Sequence, residues 1–100
     1  MIRHIVMWKF REFAEGGDRA ANLERAIALL TACRDCVPGI LRFELARAQP
    51  GFECTCDLVL YSEFADAQAL AAYQAHPTHL ATKPFIGAVR ESRQCMDYQI

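Results

Sequence analysis

The chain opens on IRHIVMWKF, residues 2–10, where apolar side chains fall on both parities. In an extended strand Ile2, His4, Val6, Trp8 and Phe10 share one face, and Ile5 and Met7 lie on the other between Arg3 and Lys9. A sheet with one wet face alternates more cleanly, so each side of this strand is expected to be covered. Residues 11–17 contain Gly16-Gly17 and read as a loop, with Asp18 as the N-cap of a helix. In that helix Leu23, Ile27 and Leu30, joined by Ala26 and Cys33, form an apolar stripe that Pro38-Gly39 is expected to end.

ILRFELAR, residues 40–47, predicts a second strand with Leu41, Phe43 and Leu45 on one side. A Pro-Gly turn signal within residues 48–53 predicts a hairpin into a third strand, CTCDLVLYSEF, at 54–64. Asp66 then caps an alanine-rich helix that stops where Pro77 removes a backbone N–H. Pro77 opens a short turn, THLATK, terminated by Pro84, and residues 89–98 make a last strand of weaker pattern. The order β-α-β-β-α-β is that of an α+β, ferredoxin-like fold: a four-stranded antiparallel sheet with both helices on one face. The bare face is then open to the sheet of a second copy, giving a dimeric α+β barrel.

Composition sharpens this picture. One hundred residues suit one domain, 1–100. At 53% hydrophobic, the chain carries a surplus that a subunit interface would absorb. The net charge is −1 and the basic residues are scattered, which argues against nucleic acid as a partner. No apolar run approaches the ~20 residues that span a bilayer, so no membrane partner is expected. The N-terminus lacks the pattern of a signal peptide, and a cytoplasmic location is expected.

Five cysteines without a secretion signal argue against a disulfide framework. Cys33-Arg-Asp-Cys36 and Cys54-Thr-Cys56 are spaced like metal or redox pairs. The first pair falls at a helix end, where the dipole opposes thiolate formation, and has no turn glycine beside it. Buried or half-buried thiols are the expectation, with no metal.

Four segments together resemble the stress-responsive A/B-barrel (Dabb) family over nearly the whole chain. They are I-x-H-I-V at 2–6, YSEF at 61–64 with the helix behind it, Y-x-x-H-P-x-H at 73–79, and CMDY at 95–98. The resemblance implies homodimers whose sheets pack face to face, a cavity in each subunit between sheet and helices, and no cofactor. In fold the family is similar to the antibiotic-biosynthesis monooxygenases. Some plant members are polyketide cyclases that use a tyrosine and a histidine of this run as an acid/base pair. Matched residue by residue, the tyrosine falls on Tyr73 and the histidine on His79. The strand-one histidine falls on His4 and the last-strand aspartate on Asp97. The first helix departs from that picture, presenting Leu23, Ile27 and Leu30 inward without polar groups for a polyoxygenated substrate.

Three roles compete for the histidines of AYQAHPTH, residues 72–79. As zinc ligands, His76 and His79 would need two more donors from His4, Asp97 or a cysteine. As structure, the His76 ring is expected to bond the last free carbonyls of the helix, with Pro77 re-aiming the chain so that His79 points elsewhere. As chemistry, a desolvated, neutral His79 near Trp8 can remove a proton α to a carbonyl while Tyr73 stabilises the enolate. Asp97 is then expected to fix the imidazole tautomer.

The expected function is a cofactor-independent homodimer binding a small, mostly apolar carbonyl or phenolic compound. His79 is its base, Tyr73 its acid, and His4, Trp8 and Asp97 its supporting groups. A non-catalytic, stress-associated ligand-binding or structural dimer, its cavity filled by side chains, is the alternative. An oxygen-using monooxygenase of the related fold is a third.

Overall fold

The computed structural model describes residues 1–100. In chain order it contains β1 (Ile2–Phe10), a short hairpin of β2 (Phe13–Ala14) and β3 (Gly17–Asp18), and α1 (Arg19–Thr31). Then follow β4 (Ile40–Arg47), β5 (Leu58–Phe64), α2 (Ala67–Ala75), α3 (Pro77–Leu80), α4 (Lys83–Val89) and β6 (Arg90–Gln99). The four long strands pair antiparallel in the order β4-β5-β1-β6, the ferredoxin-like arrangement.

The alternation of β1 decides the layering. His4, Val6, Trp8 and Phe10 are buried, while Met7 and Lys9 on the opposite face are exposed. Leu58, Leu60 and Phe64 of β5 and Phe43 of β4 extend the buried face, and Leu23, Ala26, Leu30, Leu70, Tyr73, Ile86 and Val89 of α1, α2 and α4 close over it. Edge strand β6 contributes nothing to this core and is exposed along nearly its whole length. The side of the core next to β6 is therefore the side left unsealed.

Both expected caps form: Asp18 accepts from the Ala21 N–H and Asp66 from the Ala69 N–H, each at 2.8 Å. Several boundaries differ from expectation. Residues 13–18 are a two-residue hairpin rather than open loop, turning through Glu15 and Gly16, whose φ values of 51° and 76° are those a type I′ turn requires. The first helix stops at Thr31, before Pro38-Gly39. After the Ala32 N–H bonds Ala28, the pattern tightens to Cys33→Leu30 and Arg34→Thr31 spacing.

Leu41, expected on the same side as Phe43 and Leu45, is 58% exposed while Phe43 is buried. A register shift between Ile40 and Arg42 leaves it without a partner on β5, so the alternation slips by one residue. The third strand begins at Leu58, which leaves Cys54 and Cys56 in the preceding loop. Pro84, expected to terminate a turn, instead stands in the first turn of α4, where its missing N–H costs nothing.

Candidate functional site

Between the helices and the β1–β6 side of the sheet lies a cavity of about 310 Å³. Its apolar wall is Val6, Trp8, Leu30, Leu60, Tyr73 and Ile86; its polar wall is His4, His79, Thr82, Lys83, Arg90 and Arg93, with Gly87 between. Leu30 and Trp8 form wall rather than filling, and Leu23 and Ile27 are not part of the lining.

Tyr73 reaches the cavity from the last turn of α2. Its side chain is fully buried, and its hydroxyl has no hydrogen-bond partner. Burial pushes its pKa far above the usual phenol range, with the thiols of Cys33 and Cys36 adding to the effect, so the group is a hydrogen-bond donor and not a base. An orphaned phenol in a wall is unusual in a folded protein, because an unmet buried hydroxyl costs about 1–3 kcal/mol.

His79 is placed by the break at Pro77. His76, held at φ −66° and ψ 138°, is outside helical space, as a residue before proline should be. Its ring does not bond the carbonyls ending α2, as expected from sequence. The Nδ1 atom accepts the Thr78 N–H at 3.1 Å and caps α3 instead. The carbonyl-binding role falls to His79, whose Nδ1 donates to the Gln74 carbonyl at 3.2 Å. That bond sets the tautomer, leaving Nε2 as the unprotonated nitrogen. Desolvation lowers the His79 pKa, partly offset by the Gln74 bond, and Lys83, His4 and Arg93 lower it further. The imidazole and Tyr73 ring centres are 4.6 Å apart. The Thr82 hydroxyl, buried behind this turn, donates to the His79 carbonyl at 2.7 Å and fixes the short α3 segment.

His4 comes from the other side of the cavity, with its ring centre 6.2 Å from that of Tyr73. The register sets it opposite Asp97 of β6, and its Nδ1 bonds the Asp97 carboxylate. Asp97 therefore fixes the tautomer of His4 and not, as expected from sequence, that of His79. Tyr73, His79, His4 and Trp8 thus share one cavity, with Asp97 one bond behind it. His76 stands outside the lining.

Sequence reasoning missed Lys83, Arg90 and Arg93. Arg93 and Asp97 alternate along β6 on the side facing Trp8 and His4, a signal that the weak apolar pattern of that strand concealed. Arg90 depends on a register shift at Lys9/Phe10, and Lys83 on the unforeseen α4. Cys33 is buried and Cys36 and Cys56 are half-buried, as expected, whereas Cys54 is exposed in its loop; burial raises the pKa of Cys33 to about 11 and that of Cys36 in the same direction. Near the cavity, His4, Cys95 and Asp97 bring their donor atoms within 4.8 Å of one another, three groups of a kind that can hold a metal ion.

A four-stranded antiparallel sheet roofed on one face by helices, with this cavity beneath the roof, defines a ferredoxin-like α+β protein. The sequence pattern of the Stress responsive A/B Barrel Domain (Dabb) matches residues 2–100, and the chain belongs to that family. No curated protein matches the chain. Among solved structures it is similar to a dimeric ferredoxin-like protein of unknown function from Thermobifida fusca (TM-score 0.83, 18% identity, covering 99% of this chain and 90% of that one). It is similar too to a dimeric protein of unknown function and ferredoxin-like fold from Bacteroides fragilis (0.73, 26%, 99% and 95%). A third is a Dabb family protein with a ferredoxin-like fold from Mesorhizobium loti (0.74, 23%, 99% and 95%).

Proposed function

We propose that the protein is a homodimer whose subunits each bind a small, mostly apolar carbonyl or phenolic compound, and that the cavity performs cofactor-independent acid/base chemistry on it. The observation that carries this reading is that a buried, unpartnered Tyr73 and a desolvated His79 line one cavity with their rings 4.6 Å apart. His79 Nε2 takes a proton from a carbon α to a carbonyl, and the electrons of the broken C–H bond move into the enolate. The Tyr73 O–H donates a hydrogen bond to the enolate oxygen, where negative charge develops. His4, oriented by Asp97, holds the far end of the compound against Trp8. The volume, near the lower end of the range for ligand pockets, favours a single small ring or short chain. Dimerisation through the bare sheet face is favoured by the dimeric ferredoxin-like relatives and by exposed Met7 and Met96 on that face.

The test is hydrogen–deuterium exchange at the α-carbon of a small β-diketone, followed by proton NMR. The protein should accelerate exchange, and the rate should fall only as pH drops below the ordinary histidine value of 6.5, because His79 is depressed from it and stays neutral longer. His79→Asn keeps a donor for the Gln74 carbonyl but removes the basic nitrogen, and should lower the rate by about 10²–10⁴. Exchange that survives this substitution would remove His79 as the base. Binding of the diketone without any exchange would favour the non-catalytic ligand-binding dimer.

A further inference from the structure

The cavity wall has a charge imbalance that the proposed acid/base chemistry does not use. It includes three permanent cations, Lys83, Arg90 and Arg93, and no acidic residue. Yet the chain as a whole is balanced, with eleven basic and twelve acidic residues. None of the three cations has a carboxylate within 4.0 Å, whereas Lys9, Arg19 and Arg42 elsewhere each have one. The nearest carboxylates on the same strand are engaged: Glu91 with Lys9, and Asp97 with His4. Two of the cations act on the cavity interior, since Lys83 and Arg93 both bear on the charge of His79.

Their placement follows from the fold. No helix roofs β6, so its inward residues border the open side of the cavity, and Arg93 stands opposite Trp8 in the register. The α4 segment supplies Lys83 from across the opening. The result is an apolar floor with a cationic mouth.

We propose that the natural ligand is an amphipathic anion: an apolar body that packs on Trp8 and a terminal carboxylate that pairs with Lys83, Arg90 and Arg93 at the mouth. This rests on the reading of the cavity as a small-molecule site and names its ligand class. Cations that line one cavity without a carboxylate partner select for charge because a charge-assisted hydrogen bond is roughly twice as strong as a neutral one. A guanidinium also matches a carboxylate in two-pronged geometry.

Trp8 is the only tryptophan and lines the cavity, so its fluorescence reports occupancy directly. The probes are cyclohexylacetate and its neutral isostere cyclohexylacetamide, with inorganic phosphate as an anion lacking the apolar body. The carboxylate should bind about tenfold or more tightly than the amide, and phosphate should bind more weakly than the carboxylate. In Lys83→Gln/Arg90→Gln/Arg93→Gln the preference should shrink towards unity while amide affinity is kept, which also certifies that the variant is folded. Equal binding of carboxylate and amide by the natural chain, or a preference that survives the triple substitution, overturns the charge assignment and leaves the cavity reading standing. Phosphate matching the carboxylate overturns the apolar body. Silence of Trp8 to both cyclohexyl compounds overturns the cavity reading, and the ligand class with it.

Discussion

At the scale of single residues, Tyr73 carries opposing demands. Its ring packs against Phe43, Phe64, His4 and His79, with centroid separations of 4.6–6.2 Å, and these contacts help hold α2 to the sheet. Its hydroxyl is buried with no partner, which weakens the fold. Removing the oxygen alone should separate the two. Tyr73→Phe keeps the ring contacts and is expected to raise stability in urea unfolding by about 1 kcal/mol, the lower end of the cost of an unmet buried hydroxyl. The same variant should lose most of the acceleration of α-carbon exchange. A phenylalanine variant less stable than the natural chain would mean that the hydroxyl is satisfied and the site is organised differently. The residues of this pair were legible because a tyrosine, a proline and two histidines occur at fixed spacing in one short run. The division of labour between His76 and His79 was not legible, since it turns on which ring nitrogen meets which backbone group after the Pro77 break.

At the scale of elements, what the sequence disclosed and what it hid have one physical origin. Features written in local chemistry were readable: the alternation of β1, the caps Asp18 and Asp66, and the helix exit before Pro77. Features set by tertiary contact were not. The bulge that turns Leu41 outward depends on the register with β5, a neighbour distant in sequence. So did the cationic mouth, whose arginines stand on a strand with almost no apolar signal. Gly39 is a case where the distant neighbour can be named. It has φ 89°, and a Cβ there would lie 2.8 Å from the Ala69 Cβ of α2. Gly51 has the same φ with nothing within 4 Å. Both positions penalise a side chain through backbone strain, about 1–2 kcal/mol for a left-handed L-residue. Only Gly39 adds the crowding of α2, about 1–3 kcal/mol more. Urea unfolding should therefore rank Gly39→Ala well below Gly51→Ala in stability. Equal losses would show that α2 does not depend on this close approach.

At the scale of the whole molecule, the helices cover one face of the sheet and leave the other to be explained. On that face the register sets Ile5 beside Met96 and Tyr61, and Met7 beside Val59, with β1 inside the sheet rather than at its edge. Charged residues surround this apolar centre: Arg42 with Glu44 at 3.7 Å and Lys9 with Glu91 at 3.4 Å. Met96 is 65% exposed and Met7 39%, while the Arg3 Nε atom on the same face is buried without an acceptor. An apolar centre within a polar rim is the anatomy of a protein interface. A two-fold axis would press the patch onto its own copy, where an acceptor from the second chain could satisfy Arg3. The cavity lies under the helices, on the opposite side of the sheet, so assembly and the proposed ligand binding should be separable. Sedimentation of the natural chain should give a dimer, with a thermal midpoint that rises with concentration because folding and association are linked. Met7→Asp/Met96→Asp places charges at the centre of the patch and should give a monomer whose midpoint is lower and independent of concentration. That monomer should still quench Trp8 with cyclohexylacetate. If the natural chain sediments as a monomer at high concentration, the bare face is not its interface; if the variant stays dimeric, the contact lies elsewhere on the molecule.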